Sequence, residues 1–181
     1  MSNPINIARY GLLVLPLLLI SGCKAQPPKL LHPSVSGYNH TSAAINNFTV
    51  NGSGGGNIGP HEGGGSFVCC TTVPRQWQPG MKATVEWEKD PEPFSSVNWP
   101  QPMFSEAWNK QAEAHRAQYT RHRVTVEIPR YEDVGSMNVH FLPCDQVLVA
   151  VNGVLPGYPG YPHNDVINAL NMEEPETCPK P

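Results

Sequence analysis

The sequence predicts a mainly β protein, an antiparallel β-sandwich or half-barrel with one α-helix packed on it. Three observations carry this. Several segments alternate strictly between apolar and polar residues, as strands with one buried and one wet face do. One segment instead places its apolar residues at helical spacing. Proline and glycine, at 20 and 16 of 181 residues, lie above the average but below the roughly 25–30% of low-complexity chains.

The chain opens with a short polar stretch carrying Arg9, followed by an apolar run from Tyr10 to Ile20. That run has the length of a signal-peptide core and falls short of the roughly 20 residues a membrane-crossing helix needs. It ends in Ile20-Ser21-Gly22-Cys23, an aliphatic residue, two small residues and a cysteine, the pattern of a lipoprotein processing site. Residues 1–22 are expected to be removed and Cys23 acylated. Several acyl chains, at about 0.8 kcal/mol per buried methylene, give durable anchoring. Lys24, where an aspartate would retain the protein at the inner membrane, favours the periplasmic face of the outer membrane. Residues 23–36 then read as a proline-bearing tether, and 37–181 as one domain.

Within that domain, Ala43 to Val50 reads as a strand whose phase changes between Ile45 and Phe48, which predicts a bulge near Asn46 and Asn47. Met81, Ala83, Val85 and Trp87 share one face of the next strand, and Val124, Val126 and Ile128 one face of another. Met137, Val139 and Phe141, then Val147, Val149 and Val151, form two more, with Pro143 to Asp145 as a hairpin connection. The helix is expected near residues 104–120, with Phe104, Trp108, Ala112, His115 and Tyr119 on one stripe and Ser105 as its N-cap. Residues 153–181 read as an irregular tail held mainly by Cys178.

Once lipidation uses Cys23, four cysteines remain: Cys69, Cys70, Cys144 and Cys178. An oxidising compartment makes an even number a disulfide framework. If Cys69 and Cys70 lie in a strand, they point to opposite faces. Cross-strand pairing is then expected, one of them with Cys144 and the other with Cys178. A bond between the neighbours themselves would need Cα atoms closer than the usual 5.5–6 Å or so. No C-x-x-C spacing supports redox or zinc chemistry.

Catalytic patterns are also missing. The chain holds no G-x-S-x-G elbow, H-E-x-x-H, phosphate loop or dinucleotide fingerprint. His115, His122 and His140 read as packing or surface residues. Glu86, Glu88, Asp90 and Glu92 read as a solvated charge run, and the glycine-rich stretch from Gly52 to Gly65 as a flexible connection. Acidic residues outnumber basic ones by 15 to 12, and no basic cluster points to nucleic acid. No enzyme activity, metal or cofactor is expected.

The stretches from Tyr38 to Gly52, Gly63 to Cys70, Val73 to Glu88, Val126 to Tyr131 and Met137 to Pro143 resemble a family of bacterial lipoproteins of formerly unknown function. That family includes immunity proteins against lipases delivered by type VI secretion. Its double cysteine followed by P-x-x-W-x-P-G is the most specific feature, and the likeness spans roughly Gly37 to Asn152. The resemblance implies a lipid-anchored periplasmic protein that binds and inhibits a phospholipase toxin, and it supplies no catalytic residues. Aromatic side chains dominate interface energetics, so Glu92, Phe94, Trp99 and Phe104 are the expected contact residues, followed by Tyr158 and Tyr161. Trp77 and Trp87 are assigned to structure. An envelope structural or assembly lipoprotein, or a small-ligand-binding one, is the alternative. The anchor has a direct test: Cys23→Ser should move the protein from the membrane pellet to the soluble fraction with its circular dichroism unchanged, and a loss of folding would contradict an anchor-only role.

Overall fold

The structure, a computed structural model, describes residues 29–65, 67–170 and Cys178. The expected leader, the acylation site at Cys23 and the first part of the tether lie outside the described residues. Nine strands form: β1 (Leu30–Leu31), β2 (Val35–Asn39), β3 (Ala44–Val50), β4 (Ser53–Gly55), β5 (Val73–Pro74), β6 (Lys82–Asp90), β7 (Thr120–Glu127), β8 (Ser136–Leu142) and β9 (Gln146–Asn152). Two helices accompany them, α1 (Glu106–Arg116) and α2 (Asn164–Ala169). One sheet has the order β4-β3-β6-β7, a second β2-β8-β9, and β1 pairs with β5. The protein is mainly β, and its sheets do not close into a barrel.

The two larger sheets pack face to face. Ile45, Phe48, Val50, Ala83, Val85 and Trp87 from one meet Val35, Met137, Val139, Phe141, Val149 and Val151 from the other. Phe141 joins the layers, edge-on to Phe48 at 5.2 Å and tilted against Trp87 at 5.6 Å between ring centroids. The alternating segments thus turn the predicted faces inward, with Met81, Val124 and Val126 only partly buried. The register of β3 against β6 shifts between Ile45 and Asn47, where the phase change placed the bulge. β3 turns into β4 through Asn51 and Gly52, both at positive φ, the residue pair a two-residue hairpin favours. The β8–β9 hairpin closes through a 3-10 turn at Pro143–Asp145.

Several expectations are corrected. The chain segment read as tether is built into the fold from Leu30 on. Val35 and Ser36 are buried, because β2 lies beside β8 in parallel, so the sheet is mixed rather than wholly antiparallel. The glycine-rich segment is not a free connection. Bridges from Gly63 to Tyr38, Ile58 to Ile45 and Val68 to Val35 tie it to β2 and β3. The polar face expected for β8 is also buried, Asn138 and His140 as completely as Val139, because the segment after β9 folds across it. That segment contains α2 and buries Tyr161, so it is not simply an irregular tail.

The disulfides are corrected as well. Cys69 bonds Cys70, and Cys144 bonds Cys178. Cys69 and Cys70 lie in no strand, so the alternation that would send their side chains to opposite faces of a sheet does not operate.

Glycine is required where the chain passes Phe48. A Cβ on Gly55 would overlap the Phe48 ring, and one on Gly37 would meet both Ile58 and that ring. Gly55→Ala should therefore destabilise the domain by about 1–3 kcal/mol, read from urea unfolding. An unchanged midpoint would show that the Phe48 ring has room to move.

Candidate functional site

Between β6 and β7 the chain leaves the sheet for an excursion from Pro91 to Tyr119, made of a 3-10 turn at Ser95–Asn98 and α1. Ser105 caps α1, its Oγ accepting from the Trp108 N–H at 3.2 Å. Behind the excursion runs a chain of three side chains from three elements. Asp90, the last residue of β6, holds His115 of α1, whose Nε2 lies 3.1 Å from Asp90 Oδ2. The other ring nitrogen of His115 lies 3.2 Å from Ser95 Oγ, and the Glu92 N–H donates to Asp90 Oδ1 at 2.9 Å. Asp90 and His115 are buried. With Nε2–H donated to the carboxylate, Nδ1 is the acceptor for the Ser95 hydroxyl.

An aromatic ladder continues the brace. Phe104 packs edge-on to Trp108, Trp108 to Trp99, and Trp99 to His115, each with centroids 5.1–5.4 Å apart. Tyr119 meets the same imidazole at 5.2 Å. Burial, and after it the Asp90 carboxylate, raises the Tyr119 phenol above its ordinary value. On the outer side the excursion leaves Phe94, Val97, Met103 and Phe104 at 70%, 79%, 57% and 71% exposure. Four large apolar side chains on one internally braced excursion make a candidate partner-binding surface.

Of the expected contact residues, Glu92, Phe94, Phe104 and Tyr158 are exposed, whereas Trp99 is half-buried in the ladder. Tyr161 is not on the surface. It is buried against β8, its hydroxyl on His140 Nε2 at 2.5 Å, and cannot meet a partner in this arrangement. Val97 and Met103 join the exposed group without having been singled out in sequence. Trp77 and Trp87 are structural, as assigned. Trp77 donates to the Ile128 carbonyl at 2.9 Å, and Trp87 stacks on His122. The carboxylate run divides. Glu86 pairs with Arg123 and Glu88 with Arg121 across the wet face of the sheet, while Asp90 turns inward.

Sequence reading missed the Asp90–His115–Ser95 chain. Its one available signal was His115, a polar residue on the apolar stripe of α1, which needs a buried partner.

A second polar cluster lies under the segment following β9. His40 Nε2 is 3.0 Å from His140 Nδ1, and Tyr38 stacks on the His140 ring at 4.8 Å. His163 is anchored to the Val149 carbonyl at 2.8 Å. Burial, then the neighbouring His40 and His163, lowers His140 to about 3. Burial and the nearby His61 lower His40 in the same direction, and burial raises the Tyr161 phenol.

Among the surface cavities are two lined by described residues. One, of about 480 Å³, is lined by the glycine-rich segment with His61 and Glu62, and the other, of about 380 Å³, by the Glu86–Arg123 ladder. Neither includes Ser95. Among the described residues no group of three or more His, Cys, Asp or Glu could hold a metal ion.

Fold and surface together define a small β protein with a braced apolar excursion. Residues 38–149, more than half of the chain, match the family described as a protein of unknown function (DUF3304), and the chain belongs to that family. No curated protein and no solved structure matches it.

The histidine cluster sets a pH dependence. The unfolded chain takes up a proton at His140 near the ordinary value of 6.5, whereas the folded protein does so only at about 3. Stability should be fully present above about pH 6.5 and fall as the pH drops below it, by up to ~1.4 kcal/mol per pH unit for one proton. Urea unfolding from about pH 8 down to about pH 4.5 reads this, and His140→Asn should flatten the slope.

Proposed function

We propose that this protein is a lipid-anchored immunity protein on the periplasmic face of the outer membrane, which binds and inhibits a phospholipase toxin delivered by type VI secretion. The observation that carries the reading is the excursion between β6 and β7. Water-exposed Phe94, Val97, Met103 and Phe104 have an energetic cost in a lone protein that a partner's apolar surface removes. The Asp90–His115–Ser95 brace supports binding because a surface already ordered loses less entropy on docking.

The position of the excursion also suits an anchored inhibitor. β1, the first described strand, pairs with β5 beside the start of β6 and the end of β7. There the Tyr131 hydroxyl donates to the Pro74 carbonyl and Ile128 N–H to the Met81 carbonyl. The excursion follows Asp90, at the far end of the nine-residue β6, roughly 30 Å away at strand rise. An anchor reached through Leu30 would then lie at the opposite end of the β6–β7 pair from the apolar surface, an arrangement that supports the reading. The inhibitor role asks for binding and no turnover.

Where a lipase is encoded beside its gene, co-expression with that lipase directed to the periplasm should restore growth, and the purified proteins should form a complex that blocks lipid hydrolysis. Phe94→Asp with Val97→Asp, neither of which belongs to the ladder, should weaken that complex at least about tenfold while leaving the melting temperature unchanged. Absence of both rescue and complex with the unaltered protein would overturn the reading.

A further inference from the structure

The two disulfides differ in what they can do for the fold. Cys144–Cys178 joins residues 34 apart in sequence and ties the chain's last part to the β8–β9 hairpin. Closing a loop of that size removes substantial denatured-state entropy. Cys69–Cys70 joins neighbours. It closes no loop beyond the two residues themselves, so the chain-entropy stabilisation is close to nothing. A bond that contributes so little to stability needs another account.

Its surroundings supply one. Cys69 is exposed and Cys70 half-buried, so the pair sits at the surface. The backbone on either side is held independently of the bond. Val68 and Val35 exchange both N–H to carbonyl bonds at 2.8 and 3.0 Å, and the Thr71 N–H donates to the Pro33 carbonyl at 3.0 Å. The Ser53 hydroxyl donates to the Cys70 carbonyl at 2.8 Å. Val35, Thr71 and Val73 are buried. Opening the bond would leave two adjacent thiols on a frame that stays folded. Cys144 and Cys178 are bonded to each other and do not serve as the exchange partner.

We infer that Cys69–Cys70 is a reversible thiol–disulfide exchange site, opened by a dithiol reductant while the rest of the domain stays intact. A thiolate of the reductant attacks Cys69 Sγ, on the more exposed residue of the pair. A new S–S bond forms to Cys69, the Cys69–Cys70 bond breaks, and Cys70 leaves as a thiolate that takes a proton from water. The reductant's second thiolate then attacks its own sulfur in the mixed disulfide. That step closes the reductant's disulfide and releases Cys69, which is protonated in turn. Two electrons and two protons pass to the pair, and the dithiol becomes a disulfide. Each bond joins one exposed and one half-buried cysteine, so the loop separates them: a fold that holds distant Cys144 and Cys178 together makes their bond harder to reduce, and a bond between neighbours gains little from the fold. This inference stands apart from the toxin reading, since neither cysteine lies on the excursion.

The purified full chain is incubated with graded dithiothreitol, alkylated and mapped by peptide mass spectrometry, with a melting curve at each concentration. Cys69 and Cys70 should be alkylated at about tenfold lower dithiol than Cys144 and Cys178, with the melting temperature within ~2 °C of the oxidised protein. Simultaneous opening of both disulfides, prior opening of Cys144–Cys178, or unfolding when Cys69–Cys70 opens would each overturn the inference. Cys70→Ser supplies a second measurement. Its Cys69 should form a mixed disulfide with oxidised glutathione in full yield, and a Cys69 that stays unmodified would show that the attacked sulfur is not accessible.

Discussion

The structure depends on β8 being buried on both of its faces. Met137, Val139 and Phe141 point into the space between the sheets, and Phe141 touches Phe48 and Trp87 of the opposite layer. Asn138 and His140 point the other way and are equally inaccessible. A strand in that position must be paired on both edges, and β2 and β9 do so. It must also be roofed, which the segment carrying Tyr161 and His163 does. His140, beneath that roof, has to find its partners among other side chains because water does not reach it. Hence the run of contacts from His40 through His140 to Tyr161.

The same logic operates at a smaller scale at the end of β6. Asp90 would be costly as a lone buried carboxylate, and three donors face it or its ring partner: the Glu92 amide, the His115 imidazole and, through that imidazole, the Ser95 hydroxyl. The excursion from Pro91 to Tyr119 is thus fastened at its root and between its two halves. Its outer surface can be apolar without collapsing onto the sheet, because the inner surface already has its partners. The two ends of the β6–β7 pair then differ in kind. One holds the entry of the chain, through β1 and β5, and the other presents Phe94, Val97, Met103 and Phe104.

Much of the fold was legible. Period-two alternation in β6, β7 and β9 depends only on one face meeting the core; β6 and β9 bury the residues their pattern marked, and β7 half-buries Val124 and Val126. The bulge in β3 was legible as a phase change between Ile45 and Phe48, and the cap at Ser105 as a short polar residue before a helical stripe. The candidate surface was half legible. Phe94 and Phe104 stood out as aromatics among prolines, but Tyr161, similar in its sequence surroundings, is buried. Aromatic composition alone cannot separate a contact residue from a packing one, because both lose water.

The sequence by itself determined the class of fold, the strand faces, the helix and the even set of cysteines outside Cys23. Those follow from local periodicity, capping and composition, which act over a few residues. Tertiary structure alone decided the parallel pairing of β2 with β8, the burial of His140 under the later segment, the Asp90–His115–Ser95 brace and the bond between Cys69 and Cys70. Each of these depends on which distant segments arrive at the same place, or fail to. Cys69 and Cys70 bond each other, and Cys144 bonds Cys178, because in the folded chain those are the partners within reach.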